Sequence, residues 1–310
     1  LVSSGMAAIS SLMWALLKPG MKIVTQKDLY GGTTEFFEKV LKPLEIEIIY
    51  TDLRKFEELE KLENISLLYL ETPANPTMRC IDLAKIGKLS EKKGWISVCD
   101  NTFCTPYIQQ PLKFGIDFSI HSTTKFLNGH GNSTGGVIIG RDIQVMNEKI
   151  IPTVKLSGTN TNPWDAWMLN HGLKTLEIRM KRHGENAMAL AQLLQTLSIV
   201  KKVNYPGLSD HPDFNIAKRQ MSGFGPMLSF ELDGGIPKVR KVISQLKIAS
   251  LAPTLGDVDT LLMHPYSMSH RNIPESIKIE EGITQGLIRV SVGIENTDDL
   301  LDDFKQVLTN

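Results

Sequence analysis

The chain has 310 residues, 42% hydrophobic and 22% charged, with 34 basic side chains against 34 acidic ones and a formal net charge of zero. Such a length exceeds one ordinary core and points to one large or two coupled domains. The neutral balance removes any electrostatic case for nucleic acid or an anionic membrane as partner. No apolar run approaches membrane-spanning length, and three cysteines (Cys80, Cys99, Cys104) make no disulfide framework, which favours a reducing, cytoplasmic setting.

The first residues, Leu1 to Met6, carry neither an initiator methionine nor a signal peptide and read like mid-domain sequence, so a preceding segment is expected. An apolar helix follows over 6–17 and is stopped by Lys18-Pro19-Gly20. From there to residue 140, strands at 22–25, 47–50, 67–70, 95–99, 118–121 and 137–139 are interleaved with helices at 33–41, 53–62 and 81–93. That alternation predicts a mostly parallel sheet covered on both faces, with ligands beyond the carboxyl ends of its strands. Two helical patterns come next, 163–173 and 174–197. The second sets Arg179, Lys181, Arg182 and His183 as a polar face over an apolar stripe. A strand at 227–232, a helix at 237–246, a strand at 287–292 and a helix at 298–308 complete the chain. We expect a large domain over 1–175 and a smaller α+β domain over 176–310.

The strand ends carry the chemistry. Lys125 sits in His121-Ser122-Thr123-Thr124-Lys125, among hydroxyls after an apolar run, suited to a Schiff base with a phosphorylated aldehyde as well as to a plain surface lysine. Asn75 lies between Pro73 and Pro76, either aimed at a ligand or part of an ordinary turn. Asp100 ends another apolar strand and can serve as a helix cap, a metal ligand or the counter-ion of a buried cation such as a pyridinium. Ser4-Gly5-Met6 opens the first helix and offers N–H groups to a phosphate. Tyr30 stands just before a helix, a stacking ring or a core aromatic. Arg289, mid-strand between Ile288 and Val290, requires a partner, a substrate carboxylate or a structural acid. His121 and His130 have no third ligand at useful spacing, so no zinc site is expected.

In order, the chain carries Ser4-Gly5-Met6, Tyr30-Gly31-Gly32, Glu71-Thr72-Pro73-Ala74-Asn75-Pro76, Val98-Cys99-Asp100-Asn101-Thr102-Phe103, Ser122-Thr123-Thr124-Lys125 with Gly129-His130, and Ile288-Arg289-Val290-Ser291-Val292-Gly293. This set resembles the Cys/Met-metabolism family of pyridoxal-phosphate (PLP) enzymes. The family includes cystathionine γ-synthase, cystathionine γ- and β-lyases, methionine γ-lyase and O-acylhomoserine sulfhydrylases. The resemblance implies the α/β architecture of fold type I, aspartate-aminotransferase-like PLP-dependent transferases. It implies pyridoxal 5'-phosphate as cofactor, with Lys125 as its Schiff-base lysine and proton shuttle. Asp100 would partner the pyridinium, with Thr102 beside it, Asn75 would donate to the phenolic oxygen, and Tyr30 would stack on the ring and act as acid or base. Ser4, Gly5, Met6, Ser122 and Thr124 would hold the phosphate, and Arg289 with Thr254 the substrate carboxylate.

The activity implied is trans-sulfuration: γ-elimination or γ-replacement on a homoserine- or homocysteine-derived amino acid, of the cystathionine γ-synthase/γ-lyase type. The alternatives are methionine γ-lyase or O-acetylhomoserine sulfhydrylase and, in a different class, a catalytically idle PLP-binding protein. A sulfur-containing or O-acylated amino-acid substrate and a homotetramer, a dimer of dimers, are implied as well. The chain departs from the family pattern in three ways. A Tyr-x-Arg pair that members place upstream of Ser4, reaching the neighbouring subunit's phosphate, is not in this sequence. Gly32 stands where typical methionine γ-lyases have cysteine. Asn132 and Pro253 also differ from common family residues.

Overall fold

The apolar runs build two sheets, and the computed structural model describes residues 1–271 and 275–309 of the chain. In the first sheet, β1 (Lys22–Thr25), β2 (Glu47–Tyr50), β3 (Leu67–Glu71), β4 (Ile96–Asp100), β5 (Phe118–Ser122) and β6 (Gly136–Gly140) lie in the order β2-β1-β3-β4-β5-β6. The first five are parallel, and β6 returns antiparallel to β5. Strand β3 is buried at every position because its side chains alternate between two covered faces. Leu67 and Tyr69 pack toward Leu12 and Met13 of helix α1 (Gly5–Leu16). Leu68 and Leu70 pack toward Leu83, Ile86 and Leu89 of the helix Leu83–Lys93. Each of these fully buried side chains is worth roughly 1.5–3 kcal/mol against exposure, so the sheet that carries the strand ends is rigid.

The second sheet contains β7 (Val200–Asn204), β8 (Met227–Leu232), β9 (Ser250–Leu251), β10 (Leu261–Met263) and β11 (Leu287–Ser291), in the order β7-β8-β11-β10-β9. Its pairs are antiparallel apart from β9 with β10. Leu190, Leu194, Phe230, Ile288 and Phe304 close its core under the helices Leu176–Gln195 and Thr297–Leu308. A smaller apolar cluster with Met78, Phe103, Phe126, Met180, Met227 and Leu255 spans the space between the sheets. Beside it, Arg79 and Asp213 form a two-point ion pair, at 2.6 and 3.1 Å, and Asp213 also accepts the Cys80 N–H. The three cysteines are free and buried. Among the described residues no helix is long and apolar enough to cross a membrane.

Two expectations change. The helix expected over 53–62 is a single turn, Phe56–Leu59, in which only Leu59 is buried. Within the turn Leu59 is the one fully buried anchor, Phe56 packs only partly against the core, and among Glu57, Glu58 and Glu60 these contacts do not offset the cost of nucleating a longer helix. The polar face expected over 174–197 is also only partly solvated. Arg179 and His183 are buried, and Arg179 donates to the carbonyls of Phe126 at 2.7 Å and Gly172 at 2.8 Å. His183 Nδ1 donates to the Val292 carbonyl at 2.6 Å. This helix therefore grips the loop after β5 and the end of β11 with side chains that its sequence pattern presents as a surface. Strands β7, β9 and β10 had no counterpart in the sequence reading.

Candidate active site

The carboxyl ends of β3, β4 and β5 lie side by side and open into one cavity of about 280 Å3. Asp100 closes β4. Its Oδ1 accepts the backbone N–H of Thr102 at 3.0 Å and the Thr102 hydroxyl, and that hydroxyl oxygen in turn accepts the Ser122 N–H at 2.9 Å. Thr102 thus ties the end of β4 to the end of β5, from which the chain turns through Thr124 to Lys125. Thr124 is held by the Gly135 backbone, donating to its carbonyl and accepting its N–H.

Lys125 projects from that turn, and its Nζ donates to Thr254 Oγ1 at 2.7 Å. Thr254 comes from the second half of the chain, in the segment that leads to Gly256. Gly256 has φ +85°, and a Cβ there would fall 2.8 Å from the Lys125 Cα, so the approach of the two segments requires glycine. Burial and then the charge of Arg289 push the Lys125 ammonium down to about 8 from its ordinary 10.5.

Arg289 reaches the cavity from mid-β11. Its Nη1 donates to Asn75 Oδ1 at 3.3 Å and its Nη2 to the Thr254 carbonyl at 2.8 Å. Its Nε is buried without a hydrogen-bond partner among the described residues, and burial pushes its pKa down to about 10. A guanidinium only donates, so Asn75 turns its oxygen toward Arg289 and keeps its amide Nδ2 for another acceptor. Asn75 itself is buried between two cis X-Pro bonds, Thr72-Pro73 and Asn75-Pro76.

At the opposite wall, Ser4 caps α1: its Oγ accepts the Ala7 N–H at 2.9 Å. Gly5 and Met6 follow with first-turn N–H groups, which a helix leaves without internal acceptors. A Cβ on Gly5 would lie 2.8 Å from the Ser122 Cβ, so only glycine lets this helix start close on the hydroxyl of β5. Tyr30 stands at the rim, half exposed, with its ring over Gly32 and beside Met6.

Every residue singled out from sequence lines this cavity: Ser4, Gly5, Met6, Tyr30, Asn75, Asp100, Thr102, Ser122, Thr124, Lys125, Thr254 and Arg289. Thr102 aligns Asp100 with Ser122 through its hydroxyl, as Thr124 is held by the Gly135 backbone. Sequence reasoning missed Glu71, Phe103, Leu255, Met263 and Ser269, which also line the space. Glu71 had a readable signal, an acid ending a buried strand in register with Asp100 on its neighbour. Burial raises the Glu71 carboxyl well above its usual range, as does the charge of Asp100, with the Tyr30 N–H and Arg289 opposing.

These features fit PLP. Burial raises the Asp100 carboxyl, which a pyridinium would relieve. The Gly5 cradle and the hydroxyls of β5 suit a phosphate, Lys125 is an amine eased toward its neutral form, and the free Nε of Arg289 awaits an acceptor.

Comparison with known proteins agrees. A sequence profile described as Cys/Met metabolism PLP-dependent enzyme matches residues 1–309. The chain is 42% identical over 310 residues to the L-methionine gamma-lyase of Fusobacterium nucleatum subsp. nucleatum, covering 99% of this chain and 78% of that protein. It is 41% identical over 310 residues to the cystathionine gamma-lyase of Bacillus subtilis, covering 99% and 81%. It superposes with a TM-score of 0.95, at 38% identity, on cystathionine gamma synthase from Xanthomonas oryzae pv. oryzae in complex with aminoacrylate and cysteine, covering 99% of this chain and 80% of that one. The two-sheet architecture is that of fold type I PLP-dependent enzymes. With a profile matched over nearly every residue and relatives at about 40% identity along its whole length, the chain belongs to the Cys/Met-metabolism family of PLP-dependent enzymes.

Proposed function

We propose that the cavity is the active site of a trans-sulfuration enzyme that breaks or exchanges the bond at Cγ of a homoserine- or homocysteine-derived amino acid, in the manner of cystathionine γ-lyase or γ-synthase. The observation that carries this reading is the convergence of Lys125 and Arg289 on Thr254, the first on its hydroxyl and the second on its carbonyl. A substrate α-carboxylate bound to Arg289 would therefore bring its Cα within reach of the Lys125 amine.

In this reading Arg289 clamps the carboxylate, and Nε supplies a donor beyond those already engaged. Asp100 balances the pyridinium charge, Asn75 Nδ2 donates to the phenolic oxygen, and the Gly5 and Met6 N–H groups with Ser4, Ser122 and Thr124 hold the phosphate. When bound, PLP supplies an electron sink for charge left on the substrate carbon. Lys125 Nζ, with its pKa near 8, accepts the Cα proton and returns it later. Loss of a second proton, from Cβ, then lets the bond at Cγ break while the Tyr30 hydroxyl, at the rim, protonates the leaving γ-substituent. A thiol adds at Cγ as protons return to Cβ and Cα, or the protons return and water releases an α-keto acid and ammonia.

A second reading, methionine γ-lyase, is the activity named for a relative at 42% identity, level with the 41% of the cystathionine gamma-lyase. Gly32 weighs against it: a Cβ there would lie 2.6 Å from the Tyr30 ring, so a cysteine at this position would displace the ring from where it stands. O-acetylhomoserine sulfhydrylase chemistry uses the same groups with sulfide as the thiol. Offering cystathionine, methionine, and O-acetylhomoserine with cysteine or sulfide, then measuring keto acids and thioethers, separates the three. Turnover of none of them by PLP-loaded protein would leave the idle PLP-binding alternative. The proposal extends to a large domain over 1–175, a small domain over 176–310, a homotetramer and a cytoplasmic location.

A further inference from the structure

Glu71 has no part in the chemistry assigned above, yet it is buried in the wall of the same cavity. It ends β3 directly beside Asp100, which ends β4, in register. The loop that carries Tyr30 is fastened to this one residue at three points. Gln26, itself buried, donates from Nε2 to the Glu71 carbonyl at 2.9 Å and accepts the Glu71 N–H on Oε1 at 3.0 Å. Glu71 Oε2 then accepts the backbone N–H of Tyr30 at 2.8 Å. Beyond that bond the chain enters α2 (Gly31–Phe36), and the Tyr30 carbonyl accepts the N–H groups of Thr33 and Thr34. The backbone of Tyr30 is thus fixed on the helix side by α2 and on the sheet side by a single carboxylate.

We propose that Glu71 is a positioning residue for the cofactor: through the Tyr30 N–H it sets the height of the tyrosine ring above the strand end where Asp100 meets the pyridinium. Neighbouring residues on neighbouring parallel strands then fix both the ring's face and the ring's nitrogen, and the spacing between them is that of the sheet itself. The inference rests on the proposed role of Tyr30 as a stacking residue.

Two near-isosteres test it. Glu71→Gln keeps an oxygen for the Tyr30 N–H, whereas Glu71→Met keeps the volume and loses the acceptor. Cofactor-stripped protein is titrated with pyridoxal phosphate and binding is read from visible absorbance. Loss of this one buried hydrogen bond predicts a Kd raised roughly tenfold in Glu71→Met and retained within about threefold in Glu71→Gln. In a Tyr30→Ala background the two substitutions should no longer differ, because nothing remains to be positioned. Faster amide exchange at Tyr30 in Glu71→Met, but not in Glu71→Gln, is the accompanying signature. If Glu71→Met does not give folded protein, Glu71→Asp replaces it, since its carboxylate stops about one bond short of the N–H, and the same tenfold loss is expected. Equal losses in Gln and Met would overturn the proposal by assigning the effect to charge. A difference that persists without the Tyr30 ring would overturn it as well. If Tyr30→Ala alone leaves the Kd unchanged, the stacking role itself fails and the inference falls with it.

Discussion

Replacing Lys125 by methionine should make the cofactor-free protein more stable. The cavity holds the Lys125 ammonium at about 8 against an ordinary 10.5, chiefly through burial and then through the charge of Arg289. At about 1.4 kcal/mol for each tenfold step, that difference disfavours the charged form by roughly 3 kcal/mol. Partial solvent contact and the hydrogen bond to Thr254 reduce the gain from removing it, leaving about 1–3 kcal/mol near pH 7. Between pH 8 and 10.5 the unfolded chain still holds a proton that the folded protein has released, so the stability of the lysine form rises with pH across that window. The advantage of methionine is therefore full below pH 8 and fades toward 10.5. Thermal and urea denaturation of both cofactor-stripped proteins over this range would measure it. A Lys125→Met protein less stable than wild type near neutral pH, or an advantage that does not shrink with rising pH, would refute the reasoning.

Three other perturbations follow from the same geometry. Arg289→Ala should raise KM for amino-acid substrates by roughly 10- to 100-fold with a much smaller change in kcat, since charge-assisted hydrogen bonds are worth about 1.5–3 kcal/mol. An unchanged KM for every substrate would remove Arg289 from the carboxylate role. Burial acts to raise the Asp213 carboxyl, but Arg79 and the Cys80 N–H outweigh it and hold it below 3.8. Its stabilisation is then complete above pH 3.8 and lost as pH falls through the lower folded value. Asp213→Asn should accordingly cost about 2 kcal/mol in denaturation near neutral pH, and the gap to wild type should close in strong acid. Gly32→Cys should displace the Tyr30 ring and raise the Kd for pyridoxal phosphate several-fold, an effect that titration of stripped protein would detect and that an unchanged Kd would rule out.

The strand ends were legible because a parallel strand buried on both faces reads as a continuous apolar run, and a polar residue that closes such a run stands out. Asp100 stands out in that way, while Lys125 is marked by the hydroxyls just beyond such a run and Asn75 by the prolines on either side of it. Glu71 closes β3 by the same rule, but the proline-rich stretch after it drew the reading toward Asn75. Arg179 and His183 look like surface charge in a helix of mixed composition, and only the loop after β5 and the end of β11 show that backbone carbonyls bury them. The segment that supplies Thr254, Met263 and Ser269 has short strands, β9 with two residues and β10 with three, too brief to imprint a period on the sequence. Thr254 came from the family resemblance, and the other two had no local signal. The helix expected at 53–62 failed for the opposite reason: its charges matched a helical surface while its inner side offered Leu53 and Leu59, with Phe56 and Leu62 only partly covered.

The most direct test is to incubate the protein with pyridoxal phosphate, reduce it with borohydride, digest it and locate the cofactor by mass spectrometry. A single modified site on Lys125, absent from Lys125→Met and accompanied by visible absorbance before reduction, is the expected result. Cofactor scattered over exposed lysines, or fixed to a different lysine with Lys125 unmodified, would contradict the assignment of this cavity as the PLP site.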